Sequence, residues 1–270
     1  MRKRLIILAI SVGLIVSACK KDVHLNLQNG SGLIVIEGNI NNEPGPYYVG
    51  VSKTIIFYDS NNVVPVLGAK LVMTDDAGNR DSLTDTGWPG LYQTHSIFGT
   101  VGRTYHLSVN AEGKQYDASS TLNPPVQVDS VGVQTFAFAG KEYWLTYCLY
   151  KDPAAVVNYY KAFLYVNNKK QAKTNPINDQ FDNGVTAQAY VNPDFFINLH
   201  DTIQVELDAI DKPIYDYFTT LNESTLSNTS AAPSNPVSNF SNNGLGYFCA
   251  YSRTLSHHIV ADQSGFHRID

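Results

Sequence analysis

The chain has 270 residues, with 19 Lys and Arg against 24 Asp and Glu and a formal charge of −5. Three of the basic residues, Arg2, Lys3 and Arg4, stand within residues 1–18, so the other 252 residues carry 16 basic against 24 acidic groups, a balance of −8. Such an acidic surface argues against nucleic acid and against anionic lipid headgroups as partners, and the length suffices for one large or two modest domains.

The first element is a basic start followed by an apolar run of about 12 residues, 5–16. That is short of the ~20 needed to span a bilayer, so residues 1–18 read as a secretory signal rather than a transmembrane helix. Cys19 directly follows Ser17-Ala18, which resembles the bacterial lipobox. The resemblance implies that Cys19 becomes the acylated, palmitate-bearing first residue of a lipoprotein, anchored by several chains where one would bind only marginally. Lys20, Lys21 and Asp22 are similar to the surface-export signal of Bacteroidota lipoproteins, which implies an outer-membrane protein facing the cell exterior. Residues 19–32 read as the lipidated tether.

Short β-rich runs follow: 33–38, 47–52, 69–74, about 80–86, 103–111 and 114–122. Turn chemistry separates them, at 41–46, at 75–79 and at Glu112-Gly113. The 103–111 run alternates cleanly, with Tyr105, Leu107 and Val109 on one face and Thr104, His106 and Ser108 on the other. Strands at this spacing without helices between them predict an immunoglobulin-like β-sandwich over 33–124. Asn123-Pro124-Pro125 is a stiff, strand-blocking boundary. A second β-rich domain, 125–270, is expected beyond it, with strands at 126–138, 143–150, 159–166, 202–210 and 244–251. Ile214, Tyr217, Phe218 and Leu221 are spaced i, i+3, i+4, i+7 behind Pro213, and predict one short amphipathic helix. Residues 167–184 and 222–243 read as long polar loops, the expected place for any ligand or partner surface. The competing reading is that they cover an exposed sheet edge.

Few motifs carry chemistry. There is no G-x-S-x-G, H-E-x-x-H, Walker-type loop or G-x-G-x-x-G, so no enzyme, cofactor or metal site is expected. Cys148 and Cys249 could form a disulfide in an exported protein, or stand as two separate buried thiols in apolar strands. His257-His258 would point to opposite faces of a strand and fits a polar terminal segment better than a metal site. Asp75, Asp76, Asp81 and Asp85 could hold calcium but lack the D-x-D-x-D-G spacing, so a solvated hairpin is favoured. Trp88, Trp144 and the 17 Tyr could stack on a glycan or grip a peptide, although most should be core. Asn158-Tyr159-Tyr160 reads as a packed strand before a sugar platform, and Gly244-Leu245-Gly246 as a place of close backbone approach.

Several stretches, taken in order, resemble one family of Bacteroidota outer-membrane lipoproteins of unknown function, often encoded beside TonB-dependent, starch-utilisation-type importers. They are 33–38 (LIVIEG), 68–72 (GAKLV), Gly90-Leu91-Tyr92, Lys151-Asp152-Pro153 with Asn158-Tyr159-Tyr160, 208–211 (DAID) leading into 215–218 (YDYF), and 235–240 (NPVSNF) leading to 244–248 (GLGYF). The resemblance implies an immunoglobulin-like or carboxypeptidase-regulatory-like first domain and transfers no catalytic residue. The expected function is an accessory or binding lipoprotein beside a TonB-dependent nutrient importer. The alternatives are a structural or adhesive surface lipoprotein without a small-molecule ligand and, less favoured, a hydrolase.

Overall fold

The computed structural model describes residues 32–55, 63–154, 156–180, 183–191, 197–198, 200–225, 235–262 and 265–269. Residues 1–31, with Cys19, Lys20, Lys21 and Asp22, lie outside them. The first stretch forms β1 (Ile34–Asn41), β2 (Tyr48–Lys53), β3 (Val64–Pro65), β4 (Lys70–Asp75), β5 (Arg80–Ser82), β6 (Thr84–Asp85), β7 (Leu91–Gln93), β8 (Thr104–Ala111) and β9 (Lys114–Thr121). Then come β10 (Val128–Phe138), β11 (Lys141–Lys151), β12 (Tyr159–Val166), β13 (Lys169–Lys170), β14 (Asn175–Asn178), β15 (Thr186–Val191) and β16 (Thr202–Ile210). The helix α1 (Lys212–Thr225), β17 (Leu245–Leu255), β18 (His258–Asp262) and β19 (Gly265–Ile269) complete a mostly β chain.

The backbone of the architecture is a long sheet in the order β13-β12-β16-β17-β1-β2-β7-β6. Two smaller sheets, β5-β4-β8-β9 and β10-β11-β15, pack on it. Period-two alternation decides which side chains meet: along β8, Tyr105, Leu107 and Val109 are buried and His106 is exposed. The first core joins Ile36, Val49, Met73 and Leu107 to Phe248 and Ala250 from β17. The second joins Leu164, Val205 and Leu207 to Cys148, Ala189 and Val191. The change of core falls near the Pro124-Pro125 boundary, yet β17 crosses it. This strand pairs parallel with β1 (Ile36 opposite Gly246, Ile40 opposite Ala250) and antiparallel with β16 (Ala209 opposite Ser252). Residues 31–270 accordingly cluster as one compact unit.

The first of the two expected long loops is corrected, and the second is shortened at its start. Within 167–184, β13 and β14 both pair with β12. Pro176 is accommodated there because β14 bonds only to β12, so its missing N–H faces away from the ladder. Within 222–243, the helix continues to Thr225, and residues 235–243 lie along the edge strand β9. Asn239 Nδ2 donates to Ser119 O at 3.2 Å, Ser241 N to Asp117 O at 2.9 Å and Asn242 Nδ2 to Gln115 O at 2.7 Å. This segment satisfies a sheet edge that would otherwise be open. Residues 226–234 lie outside the described residues.

The acidic residues that suggested calcium are used by the chain itself. Asp75 accepts from Asn79 N (2.8 Å), Asn79 Nδ2 (2.7 Å) and Arg103 Nη1 (2.5 Å). Asp81 Oδ2 accepts from the backbone N–H groups of His95 (2.7 Å), Ser96 (2.6 Å) and Ile97 (3.0 Å). Burial alone would raise the Asp81 carboxyl, but these donors outweigh it and hold it below the usual range. Asp81→Ala orphans all three donors and should cost roughly 3 kcal/mol. Urea unfolding will show this as a lower midpoint at unchanged slope. A loss under about 0.5 kcal/mol would mean that the loop finds other acceptors.

A charged and aromatic face as the candidate site

Both cores lie on one face of the long sheet. The opposite face carries alternate residues of four strands: Lys161, Phe163 and Tyr165 of β12, Glu206 and Asp208 of β16, Tyr247, Cys249, Tyr251 and Arg253 of β17, and Asn39 and Asn41 of β1. Register fixes the rows. Lys161 lies opposite Asp208 and Asp208 opposite Arg253, while Phe163 lies opposite Glu206. Helix α1 covers one end, setting Ile214, Tyr217 and Phe218 against Ile210 and Cys249. Asp211 caps it, accepting from Ile214 N at 3.4 Å and, on its other oxygen, from Thr121 N at 2.9 Å.

Glu206 is the centre of the polar part. Its carboxylate accepts from Lys170 Nζ (2.6 Å), Tyr165 OH (2.6 Å) and Arg253 Nε (2.8 Å). Arg253 also donates to both oxygens of Glu43, each at 3.1 Å. Burial would push the Glu206 carboxyl up, but the hydrogen bonds from Lys170 and Tyr165 and the charges of Lys170 and Arg253 hold it below the usual range. Lys170 stands over the Phe163 ring at 3.7 Å from its centroid. Lys170, Arg253 and Glu43 keep partial exposure, so this end of the face is the part that solvent reaches.

The row beside it is dry. The Lys161 side chain is 5% exposed and that of Asp208 is 1%, with Nζ and Oδ2 3.4 Å apart. Nζ sits 4.2 Å from the centroid of the Tyr251 ring, 5.3 Å from that of Phe218 and 5.5 Å from that of Phe163. Among the described residues, neither Asp208 oxygen receives a hydrogen bond. Burial pushes the Asp208 carboxyl up to about 7, against the pull of Lys161. At 3.4 Å without hydrogen-bond geometry, the pair is a charge contact in an aromatic box.

Charged residues inside otherwise apolar β runs (YYKAFLYV and TIQVELDAI) are the signal that marks Lys161, Glu206 and Asp208, and sequence reasoning passed over it. The residues that reasoning did single out are mostly structural. Cys148 belongs to the second core and Cys249 to the cluster under α1, on the other side of the long sheet, so the disulfide alternative is set aside for two free buried thiols. Burial lifts both to about 12, which leaves them un-ionised and inert to exchange at neutral pH. Tyr160 is buried and donates to Asp152 at 2.6 Å, while Tyr159 packs against Tyr215. Trp88 is 74% exposed on a turn far from this face in sequence and sheet position.

Several depressions in the surface of the described residues lie elsewhere. His257 is exposed beside one of about 200 Å³ lined by Val128, Ser130 and Ile259. Another, of about 260 Å³, lies beside Tyr159, Asn178 and Asp179. Both fall short of the ~300–1,000 Å³ of typical small-ligand pockets. A wider hollow of about 370 Å³ lies over the outer face of β4 and β8, beside Thr74, Arg80 and His106. It rests on an exposed strand face rather than in a cleft, so recognition by the described residues would be across a surface.

Three comparisons place the chain among known proteins. A family profile described as "Domain of unknown function (DUF4249)" matches residues 20–256. No curated protein matches. Among solved structures, a two fibronectin type-III domain segment from chicken tenascin is 8% identical, covering 67% of this chain and 91% of that one with a TM-score of 0.22. That score is too low to support an argument about fold or function.

Proposed function

We propose, from the premise that this chain belongs to the family of the domain of unknown function DUF4249, that it is an outer-membrane-anchored accessory or binding lipoprotein serving a TonB-dependent nutrient importer. The observation that carries this reading is the N-terminal sequence: a basic start, a short apolar run, Ser17-Ala18 and then Cys19 with Lys20-Lys21-Asp22. Acylation of Cys19 would hold the β unit at the membrane surface. The solvent-reached end of the charged face, with Tyr165, Lys170, Arg253 and Glu43, offers a hydroxyl, two cations and a carboxylate to a glycan or peptide. A rigid sheet presents these groups with little ordering cost on binding.

Cys19→Ala is expected to abolish palmitate labelling and to release a soluble or unprocessed form. Processed, unlabelled protein that stays on the membrane would refute the anchor. Gentle detergent extraction should also bring down an importer barrel with the lipoprotein, and a monomer alone would remove the accessory role.

A further inference from the structure

We infer that Lys161 and Asp208 join through an intramolecular amide bond, an isopeptide cross-link between neighbouring strands of the long sheet. The reacting atoms are already adjacent: Nζ lies 3.4 Å from Oδ2, across a directly opposed pair of β12 and β16. Both side chains are buried, and the rings of Phe163, Phe218 and Tyr251 wall the amine. The Asp208 carboxyl is the unusual partner, because no donor among the described residues holds either oxygen. Two other buried carboxylates are saturated with donors: Glu206 takes three hydrogen bonds and Asp81 takes three. A carboxyl kept from donors gives up little when one of its oxygens leaves. The exposed end of the same face supplies the internal contrast. Lys170 is closer still to Glu206, at 2.6 Å, but is 41% exposed and bound to an ionised carboxylate, so it is no nucleophile.

The step balances without a co-reactant. An ammonium proton passes from Lys161 to Asp208, whose carboxyl burial raises towards accepting it. The groups around Lys161 outweigh its burial and hold its ammonium above the ordinary lysine value, so the neutral pair is the minor, reactive form. The neutral amine attacks Cγ, the Nζ–Cγ bond forms, a Cγ–Oδ bond breaks, and one water leaves, carrying the carboxyl proton and one proton of the amine. Fixed proximity replaces the bimolecular encounter, which is worth effective molarities of about 10⁵–10⁸ M in well-oriented systems. Exclusion of water from the aromatic box opposes the reverse hydrolysis. The product is a covalent tie between two strands that carry the second core, and it would slow their separation on unfolding. This inference stands independently of the lipid anchor and of any importer.

The test is mass spectrometry of a proteolytic digest of the full chain extracted in detergent. The expected result is a pair of peptides, one carrying Lys161 and one carrying Asp208, joined and lighter by one water than their sum, with no tryptic cut after Lys161. Asp208→Asn should give the same joined product by losing ammonia. Lys161→Arg should give only separate linear peptides. Recovery of Lys161 and Asp208 from the unaltered protein in separate peptides of full sequence mass would overturn the inference, as would a link from Lys161 to Glu206. The decisive reading uses the unaltered chain, so a variant that misfolds cannot obscure it.

Discussion

Gly246→Ala is expected to cost roughly 3–5 kcal/mol, the sum of backbone strain and overpacking. Gly246 has φ +89°, a conformation that L side chains rarely adopt, and it lies directly opposite Ile36 in the parallel β1–β17 pair. A Cβ there would stand 2.0 Å from the Ile36 carbonyl oxygen and 2.8 Å from its carbon. Backbone cannot give way as the end of a flexible side chain can, so the two strands would have to separate. That separation would pull Phe248 and Ala250 out of the first core. Gly78 is the control. Its φ is +87°, almost the same, but a Cβ there meets nothing within 4 Å. Gly78→Ala should therefore show strain alone, about 1 kcal/mol. Equal losses in the two variants, measured by urea or thermal unfolding, would sink the claim that β1 and β17 are locked by close approach.

Glu206→Gln is the second large effect, at about 2–3 kcal/mol near neutral pH. The substitution keeps shape but leaves Lys170 and Arg253 without their buried counter-charge. The figure is held below that for a fully buried pair because Lys170 is 41% and Arg253 23% exposed, and solvent screens them. The pH dependence has a definite sign. The folded carboxyl is held below its ordinary value, so the unfolded chain binds the proton more readily. The stabilisation is thus fully present above the unfolded value of about 4.3 and is lost as pH falls through the lower folded value. The difference in stability between the unaltered chain and the Glu206→Gln variant, followed against pH, should be constant from neutral pH down to about 5 and close below about 4. A difference independent of pH through this window would show that packing, and not charge, is what Glu206 supplies.

Local sequence alone determined the elements that obey a single period. The 103–111 alternation became β8 with its apolar face inward, and the spacing of Ile214, Tyr217 and Phe218 became the buried side of α1. Side-chain direction in a strand or helix follows from local geometry, so such faces can be read before any neighbour is known. The turn at 75–79 was legible for the same reason, because Asp75 binds donors two and four residues away. The expected solvated hairpin is corrected: Asp75 and Asp81 are buried, and Asp81 is held by N–H groups of 95–97, distant in sequence. The polar stretch 167–184 was misread because β13 and β14 are short and polar, and exist only through the edge of β12 that they pair with. The fates of Cys148 and Cys249, and the seating of 235–243 on β9, likewise depend on partners distant in sequence. So does the candidate site. Lys161 and Asp208 each look like an isolated charge in an apolar run, and only the β12–β16 register brings them together. Tertiary structure decided that meeting because strand pairing is non-local: sequence period fixes which face a charge occupies, while register and topology choose the charge it will face.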